Sequence, residues 1–422
     1  MKYILVLALL CYSFSYAQNS IDKNFTDIES KVIEWRRDFH QNPELSNREF
    51  KTAEKIAKHL KSLGIEVQTG IAKTGVVGIL KGNNPGKVIA LRADIDALPV
   101  TERNNLSFKS NVRTTFLNTE TGVMHACGHD THTAILMGVA EVLSKNKDKI
   151  NGTVKFIFQP AEEGPPPGEE GGAKLMIKEG VLENPKVDAI FGLHIDSEME
   201  VGTIAYKSGG IMASVERFVI HVKGKQTHGA APWSGVDPIL ISAKIIDGLQ
   251  TIISREAKLT DEPAVITVGK ITSGTRFNII PESAELIGTV RTLSLEMKEM
   301  ILRRMKEMVE SIAKAYGGEA SITFENFTAI TYNNPDLVNQ MLPTLQKVAG
   351  SENVIIVKPE TGGEDFSYFQ EVIPGFYFFL GGMTSENKHA FPHHTPDFFI
   401  DESGMLLGVK TLTQITFDFL NN

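Results

Sequence analysis

The chain has 422 residues, is 42% hydrophobic and 22% charged, and carries a formal net charge of -8. That length suits one large domain or two ordinary ones, and the composition is that of a soluble globular protein. The acidic balance argues against nucleic acid as the main partner, because the basic footprint is missing, and no segment approaches the ~18 uninterrupted apolar residues of a membrane span.

The N-terminal stretch MKYILVLALLCYSFSYAQNS reads as a signal peptide over residues 1–17. Lys2 supplies the positive start, Ile4 to Leu10 the apolar core and Ser15-Tyr16-Ala17 a small-residue cleavage site. The expectation is export to a periplasmic or extracellular space, with cleavage near Ala17. The large Leu10 just before Cys11 argues against lipid anchoring at that cysteine. Cleavage leaves Cys127 alone, so an internal disulfide is excluded. Cys127 is then a small buried hydrophobe, a nucleophile or a metal ligand.

DIESKVIEWRRDFH and NREFKTAEKIAKHLKSLG have helical spacing, the second ending at Gly64. VVGIL, KVIALRA, TVKFIFQ and DAIFGLHI are short, β-rich and almost continuously apolar, as strands buried on both faces are. The alternation predicts an α/β domain with helices covering a largely parallel or mixed sheet. From about Val215 the order becomes strand ERFVIHVKG, a helix opened by Asp237-Pro238, strands AVITVGKI and SAELIGTVRTL, a helix capped by Ser294, and strand EASITFENF. This β-α-β-β-α-β order is the ferredoxin-like pattern. It is predicted to be an insertion over 213–325, with the first domain made from 21–212 and 326–422, because PDLVNQMLPTLQKVAG, VIIV, GFYFFLGG and a last helix resume the earlier pattern.

The chemistry-bearing residues cluster at the ends of these strands, where α/β sheets gather ligand sites. HACGHDTH (125–132) packs three of the chain's 11 histidines and one of its two cysteines into eight positions. Asp130 is expected to cap the following helix, with Cys127 and His129 on irregular backbone just before it, whence both could reach one metal. In QPAEEG, Glu162 and Glu163 follow a buried strand and are expected to diverge, one binding a metal and the other moving a proton. His194 is read as ending the strand DAIFGLHI, and His393 and His394 sit in the Pro-bounded loop PHHTPDF. A shared Cys/His/Glu/His/His centre is the economical reading, suited to zinc, manganese or another divalent ion. In RADIDALP, Asp94 and Asp96 are either ligands or partners that orient histidines, and His228 lies on a Gly-rich loop of the inserted unit.

Taken in order, ALRADIDALPV, MHACGHDTHTA, FQPAEEG, GGAKLMIKEGVL, IFGLHI, THGAAPW, NIIPESAELIGTVR and TGGEDFSYF resemble the aminoacylase and carboxypeptidase family of metallopeptidases. The nearest branch is that of hippurate hydrolases, N-acyl-amino-acid amidohydrolases and auxin-conjugate hydrolases. The resemblance spans almost the whole mature chain. It implies a two-metal exopeptidase-like catalytic domain carrying a ferredoxin-like lid through which the protein forms a homodimer. The implied cofactor is two divalent ions per subunit, manganese or zinc first, then cobalt or nickel. By the same resemblance Cys127 bridges the two ions and His129, Glu163, His194 and His394 complete the ligands. Glu162 is the implied general base for the attacking water, and Asp96 a carboxylate behind the ligands. Asp94 stands where other branches carry a ligand histidine. His228 is the implied oxyanion donor, and Asn278 and Arg291 hold the substrate carboxylate or the intermediate. The expected reaction is hydrolysis of N-acyl or N-aroyl amino acids. A dipeptidase, an N-acetyl-amino-acid deacetylase, a cysteine amidase using Cys127 and a solute-binding module are the competing readings.

Overall fold

A computed structural model describes residues 24–384 and 391–421; the signal-peptide reading, with Cys11 and Ala17, lies outside them. The chain divides into two compact units. One contains the residues up to Ser208, Asn333–Val357 and the residues from Phe369 onward; the other is Gly209–Tyr332 with Lys358–Tyr368.

The first unit is built on an eight-stranded mixed sheet. Its spatial order is Glu66–Ile71, Gly75–Lys81, Asn151–Gln159, Asn84–Asp94, Ala189–Glu200, Gly375–Met383, Ile204–Tyr206 and Val354–Ile356. The four central strands run parallel to one another, and Gly75–Lys81 joins antiparallel. Phe156, Phe158, Phe191, Phe376 and Phe378 are fully buried along these strands, as residues on a sheet covered on both faces should be. The ladder pairs Asp94 with Gln159 and Arg92 with Gly192, so the strand ends that carry Asp94 and Gln159 are level and His194 lies beside them.

The helix His129–Lys145 is buried on every side from His129 to Leu143. Gly138 explains the close packing, since a Cβ there would stand 2.7 Å from Val32 Cγ2 of the helix 24–41 and 3.2 Å from Val409 Cγ2 of the last helix, Met405–Asn421.

A buried lysine ties the strand Asn151–Gln159 to the loop beyond it. Lys155 Nζ donates to the carbonyls of Val181, Glu183 and Pro185 at 2.9, 2.6 and 3.0 Å. Replacement by methionine strands these acceptors and is expected to cost roughly 1–3 kcal/mol at pH 7.5 in urea unfolding. Burial pulls the ammonium down to about 8, below the ~10.4 of a free lysine. The unfolded chain therefore binds the proton more tightly between those values, and stability rises with pH through that window. The difference in unfolding free energy between wild type and Lys155→Met is expected to widen from pH 8 to pH 10.

The second unit has the sheet order Ala264–Ser273, Ser283–Thr292, Ser214–Lys223, Glu319–Thr328, all antiparallel. Helices Pro238–Thr251 and Leu295–Ala315 cover one face around Phe218, Ile245, Leu286 and Met305. This is the ferredoxin-like arrangement. Both predicted caps are present: the Asp237 side chain accepts from the backbone N–H of Ile239 and Leu240, and Ser294 Oγ from that of Met297.

Candidate active site

Six side chains from four separate segments meet beside the parallel strand ends of the first unit. Cys127 Sγ lies 3.4 Å from His194 Nε2 and 3.3 Å from His394 Nε2. His394 Nε2 stands 3.0 Å from Glu163 Oε1. His129 Nε2 is 3.9 Å from Glu162 Oε2 and 4.0 Å from Glu163 Oε1. Three sets of donor atoms, Cys127/His129/His194, Cys127/Glu163/His394 and His129/Glu162/Glu163, each lie within 4.8 Å of one another. Cys127 is common to the first two sets, a placement suited to a thiolate serving two ions.

Local backbone explains how each donor arrives. Gly128 is the N-cap at φ 91°, and His129 is the first helical residue, not a loop residue ahead of the helix. A Cβ on Gly128 would stand 2.3 Å from Ile195 Cγ2. Only glycine satisfies both the left-handed backbone and that contact. Gly128→Ala is expected to cost roughly 2–4 kcal/mol, read from the denaturation midpoint, because strain and overpacking act together. Ala161 sits at φ 52° just before the paired glutamates. The turn brings both carboxylates toward His129 Nε2, so the expected divergence of Glu162 and Glu163 is not found. His194 lies within the strand Ala189–Glu200 rather than at its end. His394, at φ 62°, is held by its N–H donating to the Ala126 carbonyl at 2.7 Å.

A second layer holds these donors in orientation. His129 Nδ1 contacts the Asp96 carbonyl at 2.9 Å and Asp96 Oδ1 at 3.2 Å. That leaves Nε2 facing the centre, buried and without a hydrogen-bond partner among the described residues. Asp96 Oδ2 accepts from Ser46 Oγ at 2.7 Å and from the Glu163 N–H at 3.1 Å. Asp94 turns the other way, to Arg92 Nη1 at 2.7 Å and His132 Nδ1 at 2.6 Å, while His132 Nε2 accepts the Ile195 N–H at 2.8 Å. Both aspartates thus orient histidines.

Several of these supports escape sequence reasoning. His132 is one, although its spacing of three from His129 on one helix puts the two rings on one face. Glu49 is another: its Oε1 accepts the Ala161 N–H at 2.9 Å and its Oε2 the Thr74 hydroxyl at 2.6 Å, which braces the turn carrying Glu162 and Glu163. Asp130 does not cap the helix. Its carboxylate lies between Arg36 Nε and His40 Nδ1, each at 2.9 Å, and His40 Nε2 reaches Glu102 Oε1 at 3.2 Å. Burial alone would lower His40, but the bonds to Asp130 and Glu102 outweigh it and hold the imidazole above its ordinary value.

The electrostatics fit a cation. Burial, then the Glu163 and Glu162 carboxylates, push the Cys127 thiol well above its usual range. Burial would lower His129, yet Asp94, Asp96 and Glu163 drive it up to about 10. The Glu163 carboxylate raises His394. A buried thiol among carboxylates becomes a thiolate when a divalent ion supplies the compensating charge, and the Cys, His and carboxylate donors are those such ions take. His393 is turned away from this set, its Nε2 accepting the Ser197 N–H at 3.3 Å.

The other expected residues lie on the second unit. His228 and Asn278 are neighbours on a two-stranded ribbon, in which His228 pairs with Ile279 and the Gly229 N–H donates to the Asn278 carbonyl at 2.8 Å. His228 is exposed. Arg291 is on the strand Ser283–Thr292, and partial burial holds its guanidinium below its ordinary value.

Comparison with known proteins agrees with this geometry. Residues 90–418 match the model of Peptidase family M20/M25/M40. The chain is 42% identical to thermostable carboxypeptidase 2 of Saccharolobus solfataricus over 94% of this chain and 97% of that one. It is 38% identical to an N-acetylcysteine deacetylase of Bacillus subtilis, over 93% and 97%. The crystal structure of the Bacillus subtilis YXEP protein, described as a dinuclear metal binding peptidase, superposes with a TM-score of 0.79 at 36% identity, covering 94% of this chain and 99% of that one. The chain belongs to Peptidase family M20/M25/M40 and is an enzyme of its metal-dependent amidohydrolase and peptidase kind.

Proposed function

We propose that the protein hydrolyses the amide bond of N-acyl or N-aroyl amino acids, giving a carboxylate and a free amino acid. The observation that carries this reading is the convergence of Cys127, His129, Glu163, His194 and His394 on one centre, with the further carboxylate of Glu162 3.9 Å from His129 Nε2. The named activity of the Bacillus subtilis deacetylase relative supports an acyl substrate. In this reading the five residues would hold two divalent ions, manganese or zinc. When bound, the ions would polarise the amide carbonyl and lower the pKa of the attacking water. Glu162 takes a proton from that water and passes it to the leaving nitrogen. Asp96 keeps His129 in the tautomer that offers Nε2 to the centre. On the second unit, His228 is the proposed donor to the developing oxyanion, and Asn278 and Arg291 the holders of the substrate carboxylate.

Cys127 as nucleophile is the weaker reading. Histidine nitrogens stand 3.3 and 3.4 Å from its sulfur, but its thiol is pushed up by burial and flanking carboxylates, the reverse of activation. The discriminating experiment measures amino-acid release from hippurate, N-acetyl amino acids and dipeptides before chelation, after it, and after adding back manganese, zinc or cobalt. Activity lost with the chelator and restored by one ion on an N-acyl substrate is the expected result. Activity indifferent to chelator and abolished by thiol alkylation would overturn it.

Export and dimerisation belong to the same proposal. Export rests on the composition of residues 1–17. A homodimer through the second unit is supported by the sheet-edge strand Ala264–Ser273, which exposes Ile271 at 50%. Ile271→Arg is expected to shift sedimentation from dimer to monomer.

A further inference from the structure

Ala161 holds a φ of 52°, which a residue with a Cβ resists, and the next two residues are Glu162 and Glu163. Such a conformation persists where its surroundings over-determine it. Here they include Glu49, which is buried and lies 112 positions upstream. Its Oε1 accepts the Ala161 N–H at 2.9 Å, and the Thr74 hydroxyl, 2.6 Å from Oε2, keeps the carboxylate from turning away. The three residues before Glu49 hold the rest of the same loop. Ser46 donates to Asp96 Oδ2, the oxygen that also accepts the Glu163 N–H. Asn47 Nδ2 donates to Glu169 Oε2 and to the Glu170 carbonyl, each at 3.1 Å, and Arg48 Nη2 donates to Glu169 Oε1 at 2.6 Å. A Cβ on Gly171 would stand 2.8 Å from Asn47 Oδ1 and 3.2 Å from Ala161 Cβ, so the two ends of residues 161–171 close on each other beside Asn47. Four consecutive residues thus grip the loop that carries both site carboxylates, and Glu49 is the one bonded to the strained residue itself.

We propose that Glu49 is a positioning residue of the reaction, whose bond to the Ala161 N–H sets where the Glu162 and Glu163 carboxylates stand. The proposal rests on the reading of Glu162 as base and Glu163 as metal ligand. Without the brace Ala161 relaxes toward negative φ and the peptide after it swings, carrying both carboxylates. A misplacement of about 1 Å can cost a factor of ~100 in rate. Glutamine keeps the brace, since its carbonyl oxygen accepts the Ala161 N–H and its amide donates to the Thr74 oxygen. Alanine does not.

The test compares Glu49→Ala, Glu49→Gln and Thr74→Val with wild type, each shown to be folded by urea unfolding. The first readout is calorimetric titration of the metal-free proteins with manganese and with zinc, which needs no substrate. Glu49→Ala is expected to bind at least about tenfold more weakly, through Glu163, and Glu49→Gln to recover most of that loss. The second readout is amino-acid release from hippurate and from an N-acetyl amino acid at saturating metal. There kcat is expected to fall about ten- to a hundredfold in Glu49→Ala with KM little changed, and to recover in Glu49→Gln. In a Glu162→Gln background Glu49→Ala should lower kcat no further, because the two residues act as a unit. A glutamate that only stabilises the fold would lower the unfolding midpoint and leave metal affinity and kcat unmoved. That pattern, equal losses in alanine and glutamine, or full additivity with Glu162→Gln would overturn the proposal. Thr74→Val removes only the hydroxyl that steers Glu49 and should shift both readouts the same way by less. If Glu49→Ala fails to fold, Thr74→Val decides: unchanged metal affinity and kcat would overturn the proposal. Wild type that binds neither ion, or full activity in Glu162→Gln alone, would instead overturn the reading on which it rests.

Discussion

Glu162→Gln is expected to lower kcat by roughly two to four orders of magnitude while KM and metal content stay close to wild type. Glutamine keeps the size and one acceptor oxygen of the side chain but cannot take a proton at neutral pH. The adjacent Glu163→Gln is the informative contrast. Glu163 stands 3.0 Å from His394 Nε2 and shares a donor set with Cys127, so its loss should show first as weakened metal binding, with activity partly recovered at high metal concentration. Distance alone does not separate the two carboxylates, which lie 3.9 and 4.0 Å from His129 Nε2. Kinetics with metal analysis by plasma mass spectrometry does. Full activity in Glu162→Gln would sink its role as base, and the opposite pattern of losses would exchange the two assignments.

Asp130→Ala should be the most damaging substitution for stability outside the centre. Its carboxylate is fully buried and compensates two groups, Arg36 and His40, that are themselves buried. Removing one partner of a buried ion pair costs about 3–5 kcal/mol, because the remaining charge has lost its compensation. Glu402 remains 3.0 Å from Arg36 Nη1 and Glu102 remains 3.2 Å from His40, which softens the loss without cancelling it. Asp130 also accepts the Thr131 N–H at 2.9 Å, at the start of the helix that carries His129. Urea unfolding is the measurement, and Asp130→Asn should fall between alanine and wild type. An unfolding midpoint for alanine equal to wild type would show that the network stores little energy.

These cases show what was legible in the sequence. Short-range physics was: the Asp237 and Ser294 caps, the apolar strands and the β-α-β-β-α-β order all depend on neighbours within a few positions. The five clustered donors were legible because metal-capable residues recur after successive apolar strands. Roles set by distant partners were not. Asp130 stands in the first turn of its helix and accepts the neighbouring Thr131 N–H, yet its charged partners lie 94 and 90 residues away. Glu162 and Glu163 converge because of the backbone at Ala161, which no side-chain pattern announces. The resemblance places Asp96 behind the ligands, but the residues alone leave Asp94 open, because its partner His132 lies 38 positions away.

Cys127 and His394 are 267 positions apart in the chain, and Cys127 and His194 are 67. An ion held jointly by such residues closes large loops, much as a covalent cross-link would, and its binding free energy adds to that of folding. Metal supply would then govern how long the protein survives as well as how fast it turns over. In a metal-poor environment an enzyme of this kind would lose protection against proteolysis together with its activity, and scarcity of the ion would clear the inactive molecules.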